Sequence, residues 1–264
     1  MPFTVSHVAA VLPGYRALSR WHVFSAAVIG SMVPDFALLL PLPVERWQTH
    51  SIRALFTFCL PMGLTAFWLT QLLIKPAMIE ALPDRAYARV RAAEAGAAAR
   101  PWLSWLTWLY AGLAILLGAV THLVWDGFTH EDAEGVRMFP MLFDYGPEMD
   151  GHPLQLYRWL QYGSSVLGLA VVLAALWLWW QHAPRLRSPP ARRLGRGERA
   201  VWLSAYLLLP LLALGAVLLH AWWRGHSAFG SGAALSRLAV AGMRGTALSL
   251  LLVSGLLRAR LAAA

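Results

Sequence analysis

The sequence predicts an all-α fold, a polytopic bundle of membrane helices. Of its 264 residues, 58% are apolar and only 13% are charged, and the mean hydropathy is +0.54. Most soluble globular domains are excluded, because they carry about 25% charged residues. A bilayer core of about 30 Å requires ~20 helical residues, and five stretches of the chain reach that length. A disulfide scaffold is excluded too, because Cys59 is the single cysteine.

The predicted spans are long runs of Leu, Ala and Val. They lie at roughly 53–74, 102–125, 156–181, 200–223 and 238–257. Pro61 and Pro210 fall inside two of these runs. Because neighbouring helices can satisfy the carbonyl groups that a proline frees, we expect kinks at these positions and no breaks.

The first fifty residues hold two apolar segments, 5–18 and 21–34, that are each too short to span a bilayer. Residues 15–20 between them predict a turn. We interpret this region as a helical hairpin, either re-entrant or packed shallowly in the bundle. The alternative is one span over 21–42, but three prolines near its end disfavour an uninterrupted helix. The prediction is therefore six or seven membrane helices.

Charge divides the linkers into two classes. The chain has 22 Lys and Arg against 13 Asp and Glu, and the linkers 75–101 and 182–199 are basic. Residues 126–150 instead hold seven of the thirteen acids. Alternating spans place both basic linkers and the C-terminus on one side, which the positive-inside rule predicts to be cytoplasmic. The acidic loop then faces outward from a bacterial plasma membrane. No nucleic-acid-binding motif accompanies the basic residues, so the predicted partner is the lipid bilayer.

The chain is predicted to form a single integral membrane domain over residues 1–264. Within it, 1–165 carry the polar motifs, 182–199 form a basic cytoplasmic linker, and 200–257 form a C-terminal helical pair.

The clearest chemical signal is the spacing of His122, Asp126 and His130 at i, i+4 and i+8. This spacing places all three on one face of a helix. Imidazole and carboxylate groups on one face can bind zinc or another divalent ion. His122 lies in the last turn of an apolar span, where an ionisable group is costly and usually functional. The alternative is a satisfied interfacial histidine followed by an ordinary loop aspartate.

Three further residues can reach the same membrane face: His7, Asp35 and His50. In the hairpin interpretation, His7 opens the first helix and Asp35 closes the second, so the two open ends would meet. The predicted topology places His50 on the same outer face as His122. Each residue alone is compatible with an ordinary helix end or loop. Together the residues predict a site for one or two divalent ions, zinc with manganese as the alternative.

Such an ion lowers the pKa of a bound water towards ~7 and supports hydrolysis at neutral pH. We therefore expect a hydrolase acting on a phosphoester in a lipid headgroup or a lipid-linked intermediate. Asp126 and Glu131 are the catalytic candidates, and Glu131 shares the outer loop with Asp132 and Glu134 as a further ligand or general base. The alternative function is non-enzymatic, a metal-binding membrane scaffold or transporter.

Three polar residues are candidates for supporting the ligands through hydrogen bonds: Thr49, Gln161 and Ser164. The last two lie about one helical turn apart near the start of a span. They can equally join helices to each other.

Four segments resemble a family of bacterial membrane proteins of unknown function: MPFTVSH, GSMVPDF, THS and HLVWDGFTH. That family is similar to the predicted membrane-bound metal-dependent hydrolases, which share a PD motif, a THS motif and a later H-x-x-x-D. The H-x-x-x-D spacing also resembles the zinc-dependent phospholipase C and single-strand nuclease superfamily, which has an all-α metal-hydrolase fold. The resemblance covers most of residues 1–165. It implies that the metal ligands are His7, Asp35, His50, His122 and Asp126.

Overall fold

The computed structural model describes residues 4–20, 22–39, 44–95, 104–149, 152–187, 194–225 and 232–263. Five of its helices are long and apolar enough to cross a membrane. We number them spans 1 to 5: Ile52–Ala81, Trp105–Asp126, Leu156–His182, Arg196–Trp223 and Ser236–Ala262. The predicted all-α membrane bundle is confirmed, and a span is found at each of the five predicted positions, with span 1 continuing to Ala81, beyond its predicted end at residue 74.

Shorter elements connect and precede the spans. The short α-helices are Tyr15–Arg20, Phe24–Gly30, Asp84–Ala95 and Glu134–Met138, and the 3-10 helices are Thr4–Gly14, Val33–Leu39, Arg46–Gln48 and Pro140–Phe143. Two antiparallel strands, β1 (Tyr145–Met149) and β2 (His152–Gln155), form a hairpin in the acidic loop before span 3. In this hairpin Tyr145 pairs with Gln155.

The N-terminal region folds as a hairpin of short helices, as predicted. The predicted turn at residues 15–20 is itself a helix, and the chain reverses just after it. His22 has a positive φ of 58°, and the backbone N–H groups of His22 and Val23 donate to the carbonyls of Ser19 and Leu18. This pair of bonds is a Schellman motif, which ends a helix and redirects the chain. The alternative single span over 21–42 is not formed by the described residues, which split into Phe24–Gly30 and Val33–Leu39.

Neither proline breaks its span. Pro61 follows a π-helical segment, Leu55–Cys59, in which the N–H of Leu60 donates to the carbonyl of Leu55. A proline ring crowds the carbonyl four residues before it, and the wider π turn gives that carbonyl room. Pro210 lies within the continuous helix Arg196–Trp223.

The contacts divide the chain into two compact units. One comprises residues 1–37, 43–67 and 100–181, and the other comprises 38–42, 68–99 and 182–264. The single domain predicted over 1–264 stays a prediction. All six predicted metal ligands belong to the first unit.

The first unit is held by a close crossing of the helix Phe24–Gly30 and span 2. A Cβ on Gly30 would lie 2.3 Å from the carbonyl oxygen of Ile115, and one on Gly118 would lie 2.3 Å from that of Ala27. Real Cβ atoms do not approach so closely, so only glycine permits this contact, as in other membrane bundles with small interfacial residues. The crossing brings the end of the N-terminal hairpin against the last turns of span 2.

In the second unit, spans 4 and 5 pack against each other at a similar glycine. A Cβ on Gly245 would lie 2.6 Å from the Cα of Pro210. The basic linker 75–101 contains the helix Asp84–Ala95. The carboxylate of Asp84 pairs with Arg199 at 2.9 Å.

Candidate metal centre

Five of the six predicted ligands converge at one end of the first unit. His7 lies on the first 3-10 helix, Asp35 lies on the helix Val33–Leu39, and His50 precedes span 1. His122 and Asp126 occupy the last two turns of span 2. The exposed fraction is 2% or less for every one of these residues except His50, whose side chain is 9% exposed. The predicted meeting of the hairpin ends is confirmed, since the hydroxyl of Thr4 donates to Asp35 Oδ2 at 2.6 Å.

The tautomer of His122 is set by the backbone of Ser31. Nδ1 of His122 lies 2.8 Å from the carbonyl oxygen of Ser31, which can only accept. Nδ1 must therefore carry a proton, and in the neutral ring, which is the form that binds a metal, Nε2 has the lone pair. A backbone carbonyl in this position is a common support for a metal-binding histidine.

His50 is oriented in the same way by its neighbour Thr49. The hydroxyl of Thr49 donates to the carbonyl of Arg46 at 3.2 Å and lies 2.7 Å from Nδ1 of His50. When the Thr49 hydroxyl donates to Arg46 in this way, Nδ1 of His50 can donate to the hydroxyl oxygen, and Nε2 is then the bare nitrogen. Thr49 thus contacts His50, and its predicted role in supporting a metal ligand stays a prediction. The thiol of buried Cys59, in span 1, donates to the carbonyl of Thr49 at 3.6 Å and so helps to hold the segment that carries His50.

His7 stacks on His122, with ring centroids 3.8 Å apart. Burial lowers the pKa of His7 to about 4. The ring is therefore neutral at pH 7, which is the form that binds a metal. Its Nε2 lies 3.4 Å from Asp126 Oδ1.

The carboxylate oxygens of Asp126 and Asp35 lie too far from the neighbouring histidine nitrogens to form good hydrogen bonds with them. Asp126 Oδ2 lies 3.5 Å from Nε2 of both His50 and His122, and Asp35 Oδ1 lies 3.6 and 3.8 Å from the same two nitrogens. Two ligands bound at about 2.0–2.1 Å to a tetrahedral ion are about 3.3–3.4 Å apart. The observed spacing is therefore close to that of a ligand shell.

Several buried atoms of this cluster have no hydrogen-bond partner among the described residues. They are both ring nitrogens of His7, Nε2 of His50, Nε2 of His122 and Oδ1 of Asp126. An unpaired buried polar group costs about 1–3 kcal/mol, so a cluster of them requires an explanation. A cation here would satisfy the lone pairs of His50, His122 and Asp126 and one ring nitrogen of His7, while the other nitrogen of His7 carries its proton.

The donors form two overlapping groups that could each hold a metal ion. One group is His7, His122 and Asp126, and the other is Asp35, His50 and His122, with the donor atoms of each group within 4.8 Å of one another. Both groups need His122, whose Nε2 has a single lone pair. The two positions therefore cannot both use His122 at the same time, and the donor set fits one ion.

His130, the sixth predicted ligand, lies beside the cluster and is absent from both donor groups. Its Nδ1 lies 3.5 Å from Asp126 Oδ2, and the amide of Gln161 donates to its Nε2 at 3.1 Å. Burial lowers the pKa of His130 to about 4. The structure thus places His130 against Asp126, with its second nitrogen directed to span 3. Gln161 contacts it there, in keeping with its predicted supporting position.

Ser164 and Glu131 lie further out. Ser164 accepts from the indole N–H of Trp125 at 3.0 Å, and Trp125 packs edge-on to His7 at 5.7 Å. Glu131 is exposed and accepts from the hydroxyl of Tyr157 at 3.2 Å, so it is not part of either donor group. Its predicted catalytic role stays a prediction.

Sequence reasoning missed two residues of the site, Arg46 and Thr4. Nη2 of Arg46 donates to Asp126 Oδ2 at 2.9 Å, and its side chain is 36% exposed at the rim of the cluster. A capping box between Glu45 and Gln48 holds the short helix that carries it. The available signals were the close sequence spacings of Arg46 before His50 and of Thr4 before His7.

Fold and site together define a class: a helical integral membrane protein with a buried cluster of three histidines and two aspartates at the end of a span. The chain belongs to the family described as a domain of unknown function (DUF4184), whose model matches residues 1–255. No curated protein and no solved structure matches it. The expected membership of an uncharacterised family is confirmed. The relationship to hydrolases stays a prediction.

Proposed function

We propose that this protein is a membrane-embedded, metal-dependent hydrolase that binds one divalent ion, zinc with manganese as the alternative, through His122 and its partners in one of the two donor groups. The observation that carries the proposal is the convergence of unpartnered lone pairs of His7, His50, His122 and Asp126 at ligand-like separations. Nitrogen and carboxylate donors in such a set suit zinc. When bound, the ion supplies Lewis acidity and activates water at neutral pH.

The side chains around the cluster have distinct tasks in this proposal. His122 presents a fixed tautomer, so it binds without rearranging, and the contact of Nδ1 with Thr49 orients the ring of His50. Buried Asp35 offers Oδ1 as a further donor while Thr4 holds its other oxygen. Arg46, half-exposed, faces the anionic substrate. Glu131 stays the predicted general base, although its exposed carboxylate requires a movement to reach the ligands.

A lipid or lipid-linked phosphoester is the proposed substrate. Its support is the position of the cluster at the last turn of span 2, where a membrane helix meets the headgroup region. The loop that follows exposes large apolar side chains, including Phe128 at 39% and Phe139 at 50%. Apolar and aromatic side chains at this level contact lipid headgroups and acyl chains. The positive charge of Arg46 favours a phosphate over a neutral ester.

The proposed orientation follows from charge alone. The basic linkers lie on the cytoplasmic side of a bacterial plasma membrane, and the site then faces outward. A cysteine-accessibility scan of the acidic loop in intact cells tests it, because labelling of that loop by an impermeant reagent is expected only if it faces outward.

The deciding experiment measures metal content and turnover on the same samples. The detergent-purified chain is compared with Asp126→Asn and with Asp144→Asn, a matched control at an exposed loop carboxylate. We expect about one ion per chain in wild type and control, little in Asp126→Asn, and metal-dependent release of phosphate or alcohol from a lipid phosphoester. A single ion fits the shared lone pair of His122.

Two outcomes contradict the proposal. Absence of bound metal after supplementation would reduce the cluster to polar helix contacts. Tight binding of metal without turnover of any phosphoester would identify a closed ligand shell, and the non-enzymatic alternative of a scaffold or transporter would replace the hydrolase.

A further inference from the structure

Spans 4 and 5 enclose a groove that plays no part in the proposed metal centre. It has a volume of about 660 Å³ and lies wholly within the second unit. Its walls are mostly apolar: Leu209, Leu212 and Val217 come from span 4, and Val240 and Leu248 come from span 5. The groove thus resembles a channel for an acyl chain.

Two arginines, Arg237 and Arg244, also line this groove. They are seven residues apart on span 5, which is two helical turns or about 10.5 Å along one face. Two arginine side chains at that separation can direct their guanidinium groups to a common anion. Charged residues inside a span are costly and are retained where they bind something.

Both guanidinium groups lack an acidic partner among the described residues. Arg237 is exposed and has no described ion pair or hydrogen bond, and Arg244 donates only from Nε, to the carbonyl of Leu38 at 2.7 Å. That bond fixes the plane of the Arg244 guanidinium and leaves its two terminal nitrogens available. This is the donor arrangement that binds phosphate in a bidentate way.

The length of the groove is close to the thickness of one lipid leaflet. The lining residues of span 5 extend from Ser236 to Leu248, about 18 Å of helix, against about 15 Å for half of the hydrocarbon core. Trp222 and Trp223, at the end of span 4, are 76% and 73% exposed. Such tryptophans mark the membrane interface. Arg237, near the start of antiparallel span 5, therefore lies at the headgroup end of the groove.

We propose that this groove binds one anionic phospholipid, with the headgroup phosphate between Arg237 and Arg244 and an acyl chain along Leu212 and Leu248. A zwitterionic lipid would bring its own cation close to two arginines, so the site selects for net negative charge. This inference does not depend on hydrolase activity, because the groove and the metal centre belong to different units.

The test compares three forms of the full chain in detergent: wild type, the double variant R237Q/R244Q, and the control R258Q. Arg258 is an exposed arginine near the other end of span 5 and does not line the groove. Phospholipid bound per chain is measured after exchange into mixed micelles containing phosphatidylglycerol or phosphatidylcholine. We expect wild type and R258Q to retain about one phosphatidylglycerol. The double variant should bind it roughly thirty-fold more weakly, because each basic side chain contributes to binding of an anionic headgroup.

Two further variants keep the test decisive if the double variant does not fold. R237Q removes a side chain with no described contact, and R237K/R244K keeps the charge. We expect R237Q to bind phosphatidylglycerol several-fold more weakly and the lysine variant to recover part of the loss. Equal retention of phosphatidylglycerol and phosphatidylcholine by wild type, or equal affinity in wild type and R237Q, would overturn the proposal.

Discussion

The carbonyl oxygen of Ser31 accepts a hydrogen bond from Nδ1 of His122 at 2.8 Å. The two residues are 91 positions apart in the chain, and they meet because Gly30 and Gly118 let their helices approach to backbone contact. One bond thus connects helix packing to ligand chemistry, since it decides which nitrogen of His122 faces Asp35 and Asp126. The predictions below follow from this connection.

His122→Ala should abolish metal binding. This residue belongs to both donor groups, so its loss leaves neither complete. We expect the affinity for zinc to fall by at least about 100-fold, because loss of a supporting contact alone already lowers metal affinity by up to about that factor. The control is His220→Ala, an exposed histidine at the end of span 4. Metal content by mass spectrometry checks the result, and unchanged content in His122→Ala would show that the ion lies elsewhere.

Thr4→Val should weaken metal binding about 10- to 100-fold, because the hydroxyl that holds Asp35 Oδ2 at 2.6 Å is removed. A competition titration against a chelator measures the affinity. Thr65→Val is the matched control, since its exposed hydroxyl bonds only within its own helix, to Pro61 at 2.9 Å. Equal affinities in the two variants would mean that Asp35 does not need this support.

Arg46→Gln should have the opposite effect on the metal. Its guanidinium occupies Asp126 Oδ2 and repels a cation, so its removal should tighten metal binding by up to about five-fold. Inorganic phosphate should then compete less well with substrate, because the exposed positive charge is gone. The control is Arg53→Gln, an exposed arginine in the first turn of span 1. If Arg46→Gln instead lowered the metal affinity as far as His122→Ala does, the result would show that Arg46 positions Asp126.

Gly118→Leu should destabilise the first unit. A Cβ there would lie 2.3 Å from the carbonyl oxygen of Ala27, so the two helices must separate. Overpacking of this kind costs about 1–3 kcal/mol, and it also displaces Ser31 from His122. Gly163→Ala is the control, because nothing lies within 4 Å of its Cβ position and it should be neutral or stabilising by about 0.5–1 kcal/mol. Denaturation in detergent measures both, and equal stability of the two variants would contradict the packing argument.

Much of the fold could be predicted because a membrane helix is recognisable from a short stretch of sequence. Long apolar runs, the prolines around residue 40 and the i, i+4 spacing of His122 and Asp126 are properties of neighbouring residues, and they placed the spans and the N-terminal hairpin. The two π-helical segments of span 1, Leu55–Cys59 and Thr70–Ile74, and the hairpin of β1 and β2 were not predicted. Both are defined by which backbone carbonyl accepts from which N–H group in the folded chain, and the residue types do not specify that pairing.

The sequence by itself determined the fold class, the five spans and the candidate ligands, because hydrophobic length and side-chain chemistry are local quantities. Only the tertiary structure decided that Arg46 pairs with Asp126, that His130 turns its second nitrogen to Gln161, and that His122 serves both donor groups. These relationships join residues from separate helices at distances of 2.9–3.8 Å. Hydrogen bonds and ligand contacts depend on separations of tenths of an ångström, and packing of the helices through Gly30 and Gly118 sets those separations.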